Sequence, residues 1–473
     1  MRHFETIDGT GTGTIPLDRL MLARLWSALR GKPELTQGVE MSGGGSLASV
    51  FAVSDFAAAT TASAGLALAE WTGLRTGRVP DLTVDRRLAS LWFSFSIAPQ
   101  GWELPSVWDA IAGDYPAADG WIRLHTNARA HRAAALSVLG VAPAAGLERA
   151  AVEAAVAGWR ADVLETAIVA AGGCAAVMRS RGDWAKHRQG RAVLAEPLMR
   201  MDVGGGARAF ANQFDAARPL AGIRVLDLTR VLAGPVGTRF LAGFGADVLR
   251  IDPPGWDEGA VIPEVTPGKR CARLDLKDAG GRDRFKALLA RADVLVHGYR
   301  ADALEALGLG RDVRASLNPG LVDVSLNAYG WTGPWAGRRG FDSLVQMSSG
   351  IAHAGMTQAQ TDRPVPLPVQ ALDHGAGYLL AAATLRGLVL RHSHGTGSRW
   401  RTSLARVGGF LADYPQGPVA HPIGRPEAAD YSDFIEMTDW GPALRLKPAL
   451  GLGEAKVRWD RPASDLGTSS AEW

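Results

Sequence analysis

The chain has 473 residues, 47% hydrophobic and 21% charged, with 51 Lys and Arg against 48 Asp and Glu. This is an ordinary globular composition for two or three domains, and a formal charge of +3 is too small to argue for nucleic acid as a partner. Two cysteines, Cys174 and Cys271, exclude a disulfide framework or a cysteine zinc site and point to a reducing compartment.

Met1 to Thr6 lack an apolar core, and the most apolar stretch, 47–69, carries Asp55 inside it. Neither a signal peptide nor a membrane span is therefore expected, and a cytoplasmic location is. Leu20, Leu22, Leu25 and Leu29 predict a helix over 17–29. Glycines at 43–45 lead into an Ala/Leu helix ending near Trp71, and Leu82-Thr83-Val84 reads as a short strand. A turn at Ala118-Asp119-Gly120 and amphipathic helices over 129–139, 147–158 and 162–171 predict a small α+β block.

From Pro219 the texture changes. Strands over 223–228, 246–251, 273–276, 293–296 and 321–325 alternate with helices over 234–244, 282–291 and 304–307. Such βαβ units predict an α/β fold with a Rossmann-like, mostly parallel sheet beside the smaller α+β domain. The expected divisions are a helical segment 1–105, the small block 106–200, a linker 201–218 around Gly204-Gly205-Gly206, the sheet domain 219–410 and a loop-rich tail 411–473.

One internal repeat is visible. Asp55 and Asp373 each open an Ala/Leu helix, and each precedes a Thr-Gly pair, with 22 and 24 residues from Asp to Gly. Only Asp373 follows a full set of βαβ units, so it is expected at the carboxyl edge of the sheet, where such folds bind ligands. Asp55 is read as a helix cap.

Several motifs fail when tested. The turn Thr229 to Pro235 has one glycine and no dinucleotide fingerprint, so Asp252 is read as a strand-end solvent residue. Gly9-Thr10-Gly11-Thr12-Gly13 follows no strand, and Gly268-Lys269 has Pro263 where a phosphate loop needs glycine. Neither Gly-x-Ser-x-Gly nor His-Glu-x-x-His occurs. His392 and His394 without a third ligand read as a helix-end feature, and no metal is expected.

The stretch from Pro219 through Asp227, Thr229-Arg230-Val231-Leu232-Ala233-Gly234-Pro235, Gly245-Ala246-Asp247-Val248 and Lys269-Arg270 resembles the class III CoA-transferase family, which includes formyl-CoA and carnitine CoA-transferases. The resemblance continues through Leu274-Asp275-Leu276-Lys277, Leu307-Gly308-Leu309, Tyr329-Gly330-Trp331-Thr332-Gly333-Pro334 and Arg339-Gly340-Phe341-Asp342, covering about 219–410. The block before Met201 looks like the family's small domain, which in the family follows the sheet. The resemblance implies a permuted or truncated-tandem order and a homodimer.

It also implies a reaction. CoA passes from an acyl-CoA donor to a carboxylic acid acceptor, with Asp373 as nucleophile through an aspartyl mixed anhydride and an aspartyl-CoA thioester. Val231 and Leu232 become candidate coenzyme A contacts through backbone groups, Tyr299 a stacking partner for adenine and Arg300 a phosphate partner. By the residues alone, Asp373 is a helix cap and Tyr299 a packed strand-end aromatic. An α-methylacyl-CoA racemase would need a histidine where Phe341 stands, and a benzyl ring takes no proton. A non-catalytic CoA-binding paralogue is the other alternative.

Overall fold

The computed structural model describes residues 15–473 except 145, 208, 209, 211 and 212. The glycine-dense 9–13 segment lies outside the described residues.

The N-terminal elements are α1 (Leu17–Ala28), β1 (Val39–Ser42), α2 (Val53–Thr76), β2 (Leu82–Asp85), α3 (Arg86–Leu91) and β3 (Ile97–Pro99). In the small block, β4 (Gly113–Ala117) and β5 (Gly120–Leu124) form the expected hairpin. Helices α4 (Arg129–Leu139), α5 (Arg149–Ala157) and α6 (Ala161–Ala170), strand β6 (Ala175–Val177), α7 (Arg181–Lys186) and α8 (Arg188–Ala195) follow. The β4-β5-β6 sheet and α4–α6 share a core around Ile122, Leu136, Val156 and Leu164.

The sheet region contains β7 (Arg200–Gly206), β8 (Arg224–Leu228), α9 (Ala233–Gly243), β9 (Asp247–Asp252), α10 (Ile262–Val265), β10 (Lys269–Arg273), α11 (Ala279–Leu289) and β11 (Val294–His297). It continues through α12 (Ala303–Ala306), α13 (Arg311–Leu317), β12 (Val322–Asn327), α14 (Asp342–Ser348), α15 (Ile351–Gln358), α16 (Ala371–His394), β13 (Thr396–Ser403) and α17 (Leu404–Leu411). Three short strands follow, β14 (Glu436–Thr438), β15 (Gly441–Arg445) and β16 (Leu450–Leu452).

The seven-stranded sheet has the order β10-β9-β8-β11-β12-β13-β7. All pairs are parallel except β13–β7. Alternation splits its faces. Val225, Val296, Val324 and Trp400 face the large core shared with α9, α16 and α2, whereas Leu226, Leu249 and Leu295 face a second core under α11–α13.

Three readings need correction. Residues 200–206, placed largely in the expected linker, form the antiparallel edge strand β7, because Arg200–Val203 pair with β13. The strand expected at 273–276 lies at Lys269–Arg273, where Cys271 and Ala272 are buried against β9. Asp252 is fully buried and bonded by Arg250 Nε at 2.8 Å rather than facing solvent.

The repeat is deeper than the sequence showed. Helices α2 and α16 each span 24 residues, and each ends on a glycine with positive φ, Gly77 (81°) and Gly395 (63°). Each lies between two parallel strands, β1/β2 and β12/β13. A capped short helix follows each: Asp85 accepts from Leu88 N and Ser403 from Arg406 N. The two long helices run side by side in the same direction, with Phe56 against Gly375 near their starts and Glu70 paired with Arg386 further along. The tail returns to the N-terminal elements, since β16 pairs with β2 and β15 with β3.

Candidate active site

Helix α16 leads down into β13, so its N-terminus stands at the carboxyl edge of the parallel strands. Asp373 is its third residue and is 8% exposed. It does not cap the helix. The carboxylate of Asp342, from the start of α14, does so instead: Oδ2 accepts from Leu372 N at 2.8 Å and Asp373 N at 3.0 Å. These are two of the amides that a helix start leaves without an intrahelical partner. Gln346 holds Asp342 in turn, donating from Nε2 to Oδ1, while its Oε1 accepts from Leu367 N at 2.7 Å.

The two carboxyls are buried together. Burial pushes Asp342 up to about 6, against the pull of its hydrogen bonds. Burial, and then the charge of Asp342, raises Asp373 well above the usual carboxylate range. Asp373 is therefore not the helix cap that the residues alone suggest, because the cap belongs to its neighbour. Among the described residues no cation pairs with Asp373. His374 beside it stacks on Phe93 at 5.3 Å, and burial and then the Arg239 charge lower it to about 3, so it stays neutral.

Asp55 takes the equivalent place, third residue of α2, in a different setting. Arg86 grips it with Nη1 at 2.5 Å and Nη2 at 3.0 Å, and the same guanidinium bonds Ser46 Oγ and Gly45 O. Asp55 is therefore an ion-paired residue, not the cap read from the sequence.

Glycines bring α9 to this edge. A Cβ on Gly377 would lie 2.5 Å from Ala233 O, and one on Gly237 would lie 2.6 Å from Gly377 O. The turn with Val231 and Leu232 thereby sits near the first turns of α16. Beneath it, fully buried Lys269 donates from Nζ to Asp227 Oδ2 (3.1 Å), Thr238 Oγ1 (2.7 Å) and Pro235 O (3.0 Å), tying the start of α9 to β8.

Val231 has φ of 63°, an unusual conformation for a β-branched residue. Its N–H is already taken by Glu258 Oε1 at 2.6 Å. Glu258 also accepts from Trp256 Nε1 and Arg250 Nη2, both at 2.8 Å. Leu232 is half-buried against the main core. Tyr299 is packed at a strand end and accepts from Arg230 Nη2 at 3.0 Å, with that guanidinium over its ring. Arg300 is half-buried beside it; its carbonyl accepts from Ala303 N at 3.1 Å, and its side chain makes no hydrogen bond among the described residues. The four nucleotide candidates thus lie on neighbouring turns after β8 and β11, with an acid among them.

The small block supplies another wall. Phe341, next to Asp342, lies flat on His125 at 3.7 Å, with the ring planes 2° apart. Burial, and then Arg123, lowers His125 to about 3, so it is a weak base. Leu344 and Met347 of α14 pack against Cys174 and Ala176.

Sequence reasoning missed the role of Asp342, although it quoted the residue inside its motif, and missed Glu258 and Arg86 altogether. The short spacing from the Val231 turn to a carboxylate at 258 carries no pattern that announces it. Among the described residues no group of three or more His, Cys, Asp or Glu is arranged to hold a metal, and no helix is long and apolar enough to cross a membrane.

Residues 220–416 match the model of CoA-transferase family III. An acyl-CoA transferase of Fusarium pseudograminearum is 34% identical over 206 residues, covering 39% of this chain and 45% of that protein. The probable fatty acyl-CoA transferase of Mycobacterium tuberculosis is 34% identical over 196 residues, 38% of this chain and 48% of that one. The succinyl-CoA:glutarate CoA-transferase of Mus musculus is 33% identical over 196 residues, 39% and 44% respectively. The chain spans a little under half the length of these relatives. The matched segment, 220–416, carries most of the seven-stranded sheet and the helix of Asp373, and through it the chain is similar to CoA-transferase family III.

Proposed function

We propose that the protein is a CoA-transferase that moves CoA from an acyl-CoA thioester to a carboxylic acid acceptor, with Asp373 as the nucleophile. The observation that carries this reading is the contrast between two like-placed aspartates. Asp55 is neutralised by Arg86, while Asp373 stands buried at the sheet's carboxyl edge and, among the described residues, without a cation. Desolvation strengthens a carboxylate nucleophile and keeps water from a reactive anhydride.

In this reading ionised Asp373 attacks the thioester carbonyl, the C–S bond breaks, and CoA leaves as thiolate. The thiolate attacks the aspartyl carbonyl of the mixed anhydride, releasing the donor acid and forming an aspartyl-CoA thioester. The acceptor carboxylate then attacks that carbonyl, expelling thiolate once more. Attack of thiolate on the acceptor's acyl carbonyl yields the new acyl-CoA and frees Asp373. Thioester energy is retained in every intermediate.

Val231, Leu232, Tyr299 and Arg300 are proposed to receive the CoA nucleotide, with Glu258 moving aside. Residues 106–200 are proposed to act as the small domain in cis, and 411–473 to close over residues 1–105. The homodimer and the cytoplasmic location remain part of the proposal. Phe341, which carries no basic nitrogen, and His125, held neutral beside it, support transfer over racemisation. The test is mass spectrometry of the protein incubated with a panel of acyl-CoAs and free acids. Exchange of acyl groups and an acyl-CoA-dependent adduct on Asp373 are expected. Rapid α-deuterium uptake by 2-methylacyl-CoA in deuterated water without any acid acceptor would instead establish racemase chemistry.

A further inference from the structure

The face of the seven-stranded sheet away from α16 turns polar beyond β11. Strand register sets His297, Ser325, Arg401 and Arg200 in one row, and Leu295, Asp323, Arg399 and Asp202 in the next. Residues directly paired across strands share a face, so these side chains line one surface. Arg314 of α13 joins them, bonding Asp323 Oδ2 from Nε (3.0 Å) and Nη2 (2.8 Å). Exposed Arg311, also on α13, adds its charge to that felt by Arg399, Arg401 and Asp202.

The charges do not balance. Asp323 is engaged by Arg314, and Asp202 by Arg401 (3.1 Å) and Arg200 (3.5 Å). Arg399 has no ion pair or hydrogen bond among the described residues, although its Nε is buried. Among the described residues five arginines face Asp323 and Asp202, with Glu305 Oε1 accepting from Arg311 N at the start of α13, so positive charge is in excess. Burial and then the neighbouring Arg401 push Arg399 down to about 10. His297, 4% exposed at the end of β11, approaches Asp323 Oδ1 at 3.4 Å with Nε2, and its Nδ1 has no partner. Trp331 lies over Arg401, 5.2 Å from ring centroid to guanidinium carbon.

A half-buried guanidinium whose buried Nε lacks an acceptor is costly to a fold. The group that would satisfy several guanidinium forks at once is a phosphate, whose oxygens match their planar donors. We propose that this face is a binding site for a phosphate group, held by Arg399 and Arg401 with His297 at its floor, and that its ligand is a phosphomonoester. The site lies just before the Gly298-Tyr299-Arg300 turn, so the phosphate belongs either to coenzyme A or to a separate phosphorylated metabolite. The site itself does not depend on the transfer chemistry.

The test is thermal unfolding and calorimetry of the full chain with inorganic phosphate, coenzyme A and dephospho-CoA, for wild type and for Arg399→Gln and Arg401→Gln. Wild type should be stabilised by phosphate in a saturable way. Arg399→Gln should raise Tm in phosphate-free buffer, since it removes an unpaired charge, and weaken phosphate at least about tenfold. A tenfold preference of wild type for coenzyme A over dephospho-CoA, lost in Arg399→Gln, would assign the phosphate to coenzyme A. Equal affinities for the two, with phosphate binding retained, would assign it to a separate metabolite. Absence of phosphate binding in wild type, or equal binding in all three proteins, would overturn the proposal. So would an Arg399→Gln protein with lowered Tm and unchanged phosphate affinity, which would make Arg399 a structural cover for the sheet.

Discussion

Replacing Asp373 by Asn should make the protein more stable and inactive together. In the folded chain Asp342 is pushed from the ordinary 3.8 to about 6, and Asp373 is raised well above the same ordinary value, chiefly by burial. Both groups hold their protons more tightly folded than unfolded. The stability they lend is therefore full below the unfolded carboxylate range near pH 4, and it is lost as pH rises through 6 and beyond. For Asp342 alone the displacement corresponds to roughly 3 kcal/mol lost between pH 4 and pH 8. Asp373→Asn keeps the volume, removes one ionisable group and relieves the other of a like charge. The amide leaves the cap intact, because the two helix amides are held by Asp342. In urea unfolding the variant should match wild type near pH 4 and become increasingly more stable than wild type as pH rises toward 8. Transfer activity should fall by several orders of magnitude. If the stability difference fails to grow with pH, or if more than about a tenth of wild-type turnover survives, the reasoning about this pair is wrong.

Asp342→Asn should move the acid limb of the transfer pH profile to lower pH, by removing the charge that raises Asp373, and should cost about 1–3 kcal/mol because an amide would then face Gln346 Nε2; a lowered rate with an unmoved limb would reduce Asp342 to scaffolding. Asp55→Asn should cost a similar 1–3 kcal/mol in urea unfolding through the stranded Arg86 and leave turnover within about threefold. Glu258→Gln should tighten coenzyme A binding several-fold in calorimetry, since a carboxylate no longer holds the Val231 amide where a phosphate would approach.

What the sequence disclosed follows from periodicity. Alternating apolar runs from Ile223 to Ser325 announced the parallel sheet, because strands buried on both faces read as continuous Val, Ile and Leu. The small block was legible for the same reason, through the i, i+3, i+4 pattern of 129–139. Edge strand β7 was not, because Val203-Gly204-Gly205-Gly206 has the composition of a linker and becomes a strand only when β13 supplies the partner. The site was legible at Asp373, where position on the helix is local. Its chemistry was not, since the cap on α16 comes from Asp342, 31 residues earlier in the chain. A pKa set by burial beside a second carboxylate has no signature in spacing. The same holds for Asp252 and Arg250, whose mutual pairing lets both be buried inside β9.

The repeat supplies a way to test why one aspartate is available and the other is not. In the first copy Asp85 caps α3 and Arg86 is the first helical residue; in the second Ser403 caps α17 and Leu404 takes that first position. Arg86 reaches back to Asp55 from its corner, whereas Leu404 is 5% exposed, packed in the main core, and offers no charge. The residue at this corner is therefore one difference between the neutralised and the available carboxylate. Leu404→Arg should recreate the first arrangement at the second site: a guanidinium drawn to Asp373 would favour its ionised form and pull its pKa down. The ion pair would offset part of the cost of burying arginine, and a net loss of about 1–3 kcal/mol is expected. Transfer should fall at least about a hundredfold, because a carboxylate held in two charge-assisted hydrogen bonds is a poor nucleophile. Leu404→Met controls for the altered packing and should keep most activity. The comparison is read by turnover alongside the carboxyl stretch of Asp373 in difference infrared spectra against Asp373→Asn. An active, folded Leu404→Arg protein whose Asp373 carboxyl stretch is unchanged from wild type would show that the two corners are not equivalent.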